Sequence, residues 1–264
     1  MRILCTNDDG IHAEGLVALE RIAGQLTDDV WVSAPEVEQS GASRALTLSE
    51  PLRVRRMGER RFAVSGTPTD CVMLAVEELM ADHKPDLVLS GVNRGHNTAE
   101  DVTMSGTVAG AIQAMALGIP GIALSQSLAM FHDSETAHYA TAETYAPGII
   151  QRLLSAGWPG DVMININFPN RTPDQVDQVV VTRQGRRDVH NMKAEKRTDL
   201  RGRDYYWMGF TARRPGVADD TDLAAIMAGR ISVTPLHIDL THMPTVHALK
   251  DVLGGPPPKL RASA

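Results

Sequence analysis

Residues 1–10 read MRILCTNDDG, and the rest of the chain is organised around this stretch. Residues 2–6 have the apolar character of a short strand, and a helical pattern of apolar residues begins at Leu16. Between strand and helix lies the turn 7–10, NDDG. Ligands of an open parallel sheet bind at the carboxyl ends of its strands, so this turn is predicted to lie at the functional edge of the sheet.

The acidic pair Asp8 and Asp9 stands where a dinucleotide-binding loop would be rich in glycine. Two ionised carboxylates about 4 Å apart repel each other by roughly 4 kcal/mol at an effective dielectric constant of about 20. A divalent cation removes that repulsion, so the pair predicts a hard metal ion. The alternative is an aspartate N-cap and turn on a solvated loop. The missing GxGxxG motif disfavours a dinucleotide-dependent oxidoreductase.

Composition narrows the class of protein. The chain has 264 residues and ordinary apolar and charged fractions, as expected for one large globular domain. Its formal net charge of −6 disfavours a nucleic-acid polymer or an anionic membrane as partner, and leaves a small phosphorylated ligand open. We find no bilayer-spanning apolar run and no signal peptide, so we expect a cytoplasmic protein. Cys5 and Cys71 are predicted to be buried free thiols, and no zinc-type Cys/His spacing occurs.

Strands and helices alternate up to about residue 170, after a first strand at 2–6. The further predicted strands are 30–34, 86–90, 119–125 and 162–168, with a hairpin at 52–64. The predicted helices are 16–26, 70–80, 106–117 and 136–154. This alternation predicts an α/β fold, namely a Rossmann-like, doubly wound and mainly parallel sheet.

Beyond residue 170 the pattern becomes one of short β-like segments. Strands are predicted at 179–183, 205–210 and 231–235, and a short helix at 222–228. We therefore expect a single domain over 1–250, with a core at 1–170 and a β-rich C-terminal extension at 171–250. The extension is expected to pack on the core or on a partner subunit. Residues 254–264, GGPPPKLRASA, are predicted to form a disordered tail.

Three polar loops, 7–10, 36–47 and 91–105, each follow a predicted strand, so a parallel sheet brings them to one edge. Their side chains offer the carboxylates of Asp8 and Asp9, the hydroxyls of Ser40 and Ser43, and the amides of Asn93 and Asn97. Oxygen donors without histidine or cysteine suit Mg²⁺, Mn²⁺ or Ca²⁺ rather than zinc.

The stretch 105–109, SGTVA, opens a helix directly after the third loop. The free backbone N–H groups of a helix start, together with two hydroxyls, form a natural seat for phosphate. Such a helix start beside a divalent metal describes a phosphoryl-transfer site. The alternative is an ordinary N-cap in which glycine allows close packing.

With these loops and this helix start, the chain resembles the SurE family, the survival-protein-E 5′(3′)-nucleotidases. The matching segments run in family order from residue 2 to about residue 241. They are ILCTNDDGIHAEGL, SGASRALTL, VSGTPTDCV, PDLVLSGVNRGHN, SGTVAGA, NINFP, VTRQGRRD, YYWMG, TDLAAIMAGRISVTPL and residues 239–241. The acidic pair, the SGxN loop and the SGTV helix start are specific in combination.

The resemblance implies a divalent-metal-dependent phosphatase that hydrolyses nucleoside 5′- and 3′-monophosphates by attack of a metal-activated water. Short polyphosphate is a further candidate substrate. One Mg²⁺ or Mn²⁺ ion per subunit is implied, and the matching metal ligands are Asp8, Asp9, Ser40 and Asn93. The positions around the substrate phosphate are Asn97, Ser105, Gly106 and Thr107. Either aspartate is a candidate to orient or deprotonate the water. The family fold implies a homodimer or homotetramer in which C-terminal elements are exchanged or extended between subunits.

Three residues depart from the family pattern. Glu14 replaces a common proline, Met104 replaces a common tyrosine, and His96 occupies a variable position. None is a metal position, so the implied reaction stands and the nucleoside specificity stays open. Two rival functions also stay open. A haloacid-dehalogenase-type phosphatase is disfavoured because its acids follow the pattern Asp-x-Asp, and a non-catalytic nucleotide or metal sensor would use the same pocket.

Overall fold

The computed structural model describes residues 1–128, 139–186, 191–211 and 217–255. The strands are β1 Ile3–Thr6, β2 Val30–Pro35, β3 Val54–Gly58, β4 Arg61–Val64, β5 Leu87–Arg94, β6 Gly121–Gln126, β7 Met163–Phe168, β8 Val179–Val181, β9 Asn191–Thr198, β10 Asp204–Thr211 and β11 Ile231–Leu236. The α-helices are α1 Glu14–Gly24, α2 Pro68–Leu74, α3 Gly106–Ala116, α4 Ala140–Ala156, α5 Asp222–Met227 and α6 Met243–Leu253. A π turn, Ala75–Leu79, continues α2, and 3₁₀ turns span Ala99–Thr103 and Pro173–Gln175.

Within the described ranges nine strands form the main sheet, in the order β3-β4-β2-β1-β5-β6-β7-β11-β8. Strands β4, β2, β1, β5, β6 and β7 are mutually parallel, and their spatial order is the 3-2-1-4-5-6 order of the Rossmann fold. The prediction of a doubly wound, mainly parallel sheet is therefore confirmed. Ile3 of β1 pairs with Val30 of β2 and with Leu87 of β5. The strand order reverses at β1, so the β1–β5 crevice is the topological switch point, where such sheets bind ligands.

Helices cover both faces of this sheet because the central strands are apolar on both sides. Ile3 and Cys5 of β1 pack into the larger core cluster with the buried stripe of α1. Leu4, between them in the chain, packs on the other face with the residues of α2. Cys5 and Cys71 are both free and buried, as predicted, and burial raises the pKa of each thiol. None of the helices described is both long and apolar enough to cross a bilayer.

The C-terminal third differs most from prediction. β8 and β11 extend the main sheet beyond β7, whereas β9 and β10 pair with each other as a separate antiparallel hairpin. β9 and α6 were not predicted, because β9 is a charged, solvent-facing strand and α6 buries none of its side chains. Residues 129–138, at the predicted start of α4, and residues 256–264 of the predicted tail lie outside the described residues. The role of the extension in subunit contacts stays a prediction.

Candidate active site

The three predicted loops meet at the carboxyl edge of the sheet, around the acidic pair. The backbone N–H of Gln39, in the loop after β2, donates to the carbonyl oxygen of Asp8 at 2.7 Å. The backbone N–H of Arg94, at the end of β5, donates to Oδ2 of Asp9 at 3.3 Å. β5 is longer than predicted and includes Asn93. The first loop is thus held from both neighbouring strands at the switch point.

Asp8 lies against the start of α3. Its side chain is buried, and Oδ1 accepts a hydrogen bond from Oγ1 of Thr107 at 2.5 Å. A Cβ atom added to Gly106 would lie only 2.7 Å from Cβ of Asp8, so glycine is what allows the helix to approach. Burial raises the pKa of Asp8, against the lowering effect of hydrogen bonds from the Thr107 hydroxyl and from the helix-start N–H groups. The predicted phosphate seat therefore already holds one carboxylate.

Asp9 is half-buried beside Asp8. Burial and, after it, the negative charge of Asp8 raise the pKa of Asp9 to about 6, against the lowering effect of the hydrogen bond from the Arg94 N–H. The neutral form of each carboxyl group is therefore favoured more than it is for an aspartate in water. A pair of this kind is typical of a functional site, where a cation or substrate makes up the charge balance.

The two other predicted metal ligands lie next to this pair. Ser40 follows Gln39 and is exposed, and its hydroxyl donates to Glu38 at 2.8 Å. Asn93 donates its amide N–H to the carbonyl oxygen of Gly95 at 2.8 Å, so its own carbonyl oxygen is the atom that can face a cation. Within the described part of the chain, neither side chain hydrogen-bonds to the acidic pair.

Asn97 is anchored on β6 and β7, which lie two and three strands away from β1. Its N–H donates to Oδ1 of Asn167 at 2.8 Å, and its carbonyl oxygen accepts from Nδ2 of Asn165 at 2.8 Å. Its side-chain amide donates to Oγ of Ser125 at 2.9 Å, and Ser125 pairs in register with Asn93. The supporting asparagines were not singled out from the sequence. The sequence feature that could have identified them is the presence of two asparagines within the otherwise apolar strand 163–168.

Ser105 is the N-cap of α3, and its Oγ accepts from the Val108 N–H at 3.1 Å. The N-cap alternative is therefore realised, and it does not compete with a ligand, because a capping hydroxyl keeps its own proton to donate. Of the four predicted phosphate positions, Gly106 and Thr107 contact Asp8 directly, Ser105 begins their helix, and Asn97 lies further along the edge.

A buried carboxylate from the C-terminal extension holds the third loop. Oδ2 of Asp222 accepts from the N–H of Ala99 at 2.9 Å, and Oδ1 accepts from the N–H of Gly185 at 2.8 Å. Gln184 donates to the carbonyl oxygen of Ala99 at 3.0 Å. Ala99 has a positive φ of 54°, an uncommon conformation for alanine that these contacts stabilise. The sequence did not identify this contact, since Asp222 reads as the first residue of a short helix.

Comparison with known proteins identifies the family of this chain. The family model described as Survival protein SurE matches residues 3–191. Proteins named 5′-nucleotidase SurE are 69% identical over 259 residues in Caulobacter vibrioides, with 98% of both chains covered, and 65% identical over 260 residues in Phenylobacterium zucineum, with 98% of this chain and 100% of that protein covered. A third, from Parvibaculum lavamentivorans, is 54% identical over 254 residues, covering 96% and 91% of the two chains.

The fold comparison points the same way. The crystal structure of the SurE protein from Aquifex aeolicus superposes with a TM-score of 0.81 at 36% identity, covering 96% of this chain and 99% of that one. The family model covers most of the described core, and the relatives match nearly the full length of the chain. This chain therefore belongs to the SurE family.

Proposed function

We propose that this chain is a divalent-metal-dependent phosphatase that hydrolyses nucleoside 5′-monophosphates, and also 3′-monophosphates, to nucleoside and phosphate. The 5′-nucleotidase activity is the one carried in the names of relatives that match nearly its whole length. The metal dependence and the 3′ activity rest on the site itself and on the resemblance of its loops.

The observation that carries the proposal is the meeting of Asp8, Asp9 and the start of α3 at the switch point. The helix start offers N–H groups that attract an anion, yet the Asp8 carboxylate already lies there. A phosphate bound at the same helix start would add negative charge beside two carboxyl groups whose pKa values are already raised. A cation between phosphate and carboxylates balances these charges.

The residues present fit a hard divalent cation. Two carboxylates, the carbonyl oxygen of Asn93 and the hydroxyl of Ser40 form an all-oxygen donor set of the kind that Mg²⁺ and Mn²⁺ prefer. Among the described residues, no group of three or more His, Cys, Asp or Glu side chains can hold a metal, which disfavours a zinc-type cluster there. We propose one Mg²⁺ or Mn²⁺ ion per subunit. A divalent cation at this position supplies Lewis-acid chemistry that neutralises phosphate and acidifies water.

The protein groups have distinct proposed roles around the substrate. Thr107 fixes the orientation of Asp8 through its hydrogen bond. Asp9 lies beside Asp8 at the switch point and is the proposed carboxylate that orients the attacking water or accepts its proton. The Gly106 and Thr107 N–H groups hold Asp8, so Ser105 contacts an equatorial phosphate oxygen through its own hydroxyl proton, and Asn97 contributes a further polar contact. Attack of the water on phosphorus, in line with the ester bond to the sugar, then breaks that bond and releases the nucleoside.

We further propose a homodimer or homotetramer. Tyr206, Trp207 and Met208 on the β9–β10 hairpin are 59 to 66% exposed, and α6 buries none of its side chains. Exposed apolar surface of this extent typically marks a protein contact. Short polyphosphate stays a candidate second substrate, and the cytoplasmic location stays a prediction.

The test is phosphate release from a panel of 5′- and 3′-nucleoside monophosphates with Mg²⁺, Mn²⁺ or EDTA, for the wild type and for Asp9→Asn. We expect release that requires metal and that falls by more than about 100-fold in the variant, since a positioned catalytic carboxylate contributes roughly 10²–10⁴-fold. Unchanged circular dichroism would show that the variant folds.

Near-normal turnover of Asp9→Asn at saturating metal would refute the role of Asp9. Release that passes through a trapped phosphoaspartate would instead favour the haloacid-dehalogenase chemistry. If wild type releases no phosphate from any substrate but binds nucleotides, the protein is a sensor.

A further inference from the structure

An apolar cavity of about 270 Å³ lies beyond Ser105, on the side of α3 that faces the C-terminal segment after β11. Its apolar lining comes from the 3₁₀ turn, from α3 and from the end of β11 and the residues after it. The main apolar contributors are Val102, Val108, Ile112, Leu236 and Ile238. The cavity therefore shares α3 with the proposed phosphatase site.

The cavity and that site share Ser105. This residue caps α3 at the proposed phosphate seat and also lines the cavity. Loop 36–47, which carries Ser40, forms another wall through Ser43, whose hydroxyl donates to the carbonyl oxygen of Thr103 at 2.8 Å. A molecule whose phosphate rests on the start of α3 can therefore extend into the cavity.

The chemistry of the walls suits a flat ring with a polar edge. Val102, Val108 and Ile112 present aliphatic surface, while Arg44, Gln184 and His237 add polar groups. Arg44 donates to Oε1 of Gln113 at 3.0 Å, which fixes its guanidinium along α3. Apolar walls with a few placed polar groups are typical of sites for small organic ligands. The volume is slightly below the range of about 300–1,000 Å³ for complete drug-sized ligands, as expected when only part of the ligand enters.

A second cavity, of about 500 Å³, lies on the opposite side of the acidic pair between α1 and α4. Its lining includes His12, Glu14, Val17 and Tyr139, and the ion pair of Arg21 with Glu143 at 2.9 Å. Charged groups of both signs in an open cleft favour water and ions over an uncharged ring. The cavity beyond Ser105 is the better match for a nucleobase.

We propose that the cavity beyond Ser105 receives the base of the substrate nucleotide, and that Ile112 and Ile238 on its walls determine nucleoside affinity. This proposal rests on the nucleotidase function proposed above. It predicts that filling the cavity weakens binding of substrates that carry a base and leaves unaffected those that lack one.

The experiment compares 5′-AMP with ribose 5-phosphate, which lacks the base, at saturating Mg²⁺. Ile112→Phe fills the cavity from α3, and Ile238→Trp fills it from the opposite wall at an exposed position. Val17→Phe is the matched control, because it adds a ring to the charged cavity at a residue 39% exposed. We expect both filling variants to raise the KM for 5′-AMP by roughly tenfold or more, with kcat/KM for ribose 5-phosphate unchanged and the control like wild type.

The proposal is overturned if the well-folded variant Ile238→Trp keeps the wild-type KM for 5′-AMP, if both substrates are affected equally, or if only Val17→Phe impairs 5′-AMP. If wild type hydrolyses neither ester, the nucleotidase function itself fails. Equilibrium binding of 5′-AMP then tests separately whether the cavity receives the base. Weaker binding by Ile238→Trp than by wild type supports this role of the cavity, and unchanged binding overturns it.

Discussion

Gly106→Ala tests whether close approach of α3 positions the Asp8 carboxylate. The new Cβ would lie 2.7 Å from Cβ and 2.9 Å from Oδ2 of Asp8, whereas ordinary contact begins at 3.4 Å. Helix and carboxylate must therefore separate by about 0.7 Å. Asp8 cannot simply rotate away, because Thr107 holds its other oxygen and the residue is buried.

Two magnitudes follow from this displacement. Overpacking of a close contact costs about 1–3 kcal/mol of the free energy of unfolding. A catalytic group misplaced by about 1 Å costs up to roughly 100-fold in rate, so we expect kcat to fall about 10- to 100-fold. Gly148→Ala is the matched control: it lies inside α4, where an added Cβ meets nothing within 4 Å. That variant should gain about 0.5–1 kcal/mol, because alanine loses less backbone entropy in a helix.

The assays are urea unfolding followed by circular dichroism, and phosphate release from 5′-AMP across a Mg²⁺ titration. Wild-type kcat in Gly106→Ala would refute the reasoning, whatever happened to stability. A loss of kcat that more Mg²⁺ restored would place the effect on metal affinity rather than on orientation of the carboxylate. Similar stability changes in Gly106→Ala and Gly148→Ala would mean that the close approach is not energetically significant.

Two further predictions concern the contacts that hold the third loop. Asn167→Ala leaves the buried N–H of Asn97 without its acceptor, so urea unfolding should show a loss of about 1–3 kcal/mol, together with lower turnover; an unchanged urea midpoint would contradict this. Asp222→Asn replaces an acceptor oxygen that faces backbone N–H groups and should cost a similar amount. The exposed control Asp220→Asn should have no measurable effect on the midpoint, and equal effects of the two would rule out the proposed contact.

The parallel core could be predicted because local pattern and tertiary position agree there. The stretch 3–6 is buried throughout, and the stripe of α1 faces the sheet as its spacing predicts. The meeting of the three loops follows from strand direction alone, so the sequence suffices to place Asp8 and Asp9 at the correct edge of the sheet.

Other features depend on packing that the sequence does not display locally. The stretch 191–198 shows no alternation of apolar and polar residues, and it becomes a strand only by pairing with β10. Asn165 and Asn167 are buried because β7 is covered on both faces, whereas alternation in a one-sided sheet would have placed them in solvent. The contact of Asp8 with Gly106 joins positions 98 residues apart, and only the crossing of α3 over the end of β1 brings them together.

The two faces of α3 explain why this helix is rich in small residues. On one face Gly106 contacts Asp8, and an added Cβ at Gly110 would lie 2.7 Å from Oγ of Ser90, so the backbone itself packs on β1 and β5. On the other face Val108 and Ile112 line the apolar cavity. A bulkier inner face would lift the helix and shift the acidic pair, the phosphate seat and the cavity wall together. Substitutions on the inner face should therefore change kcat and nucleoside affinity jointly, whereas those on the outer face should change affinity alone.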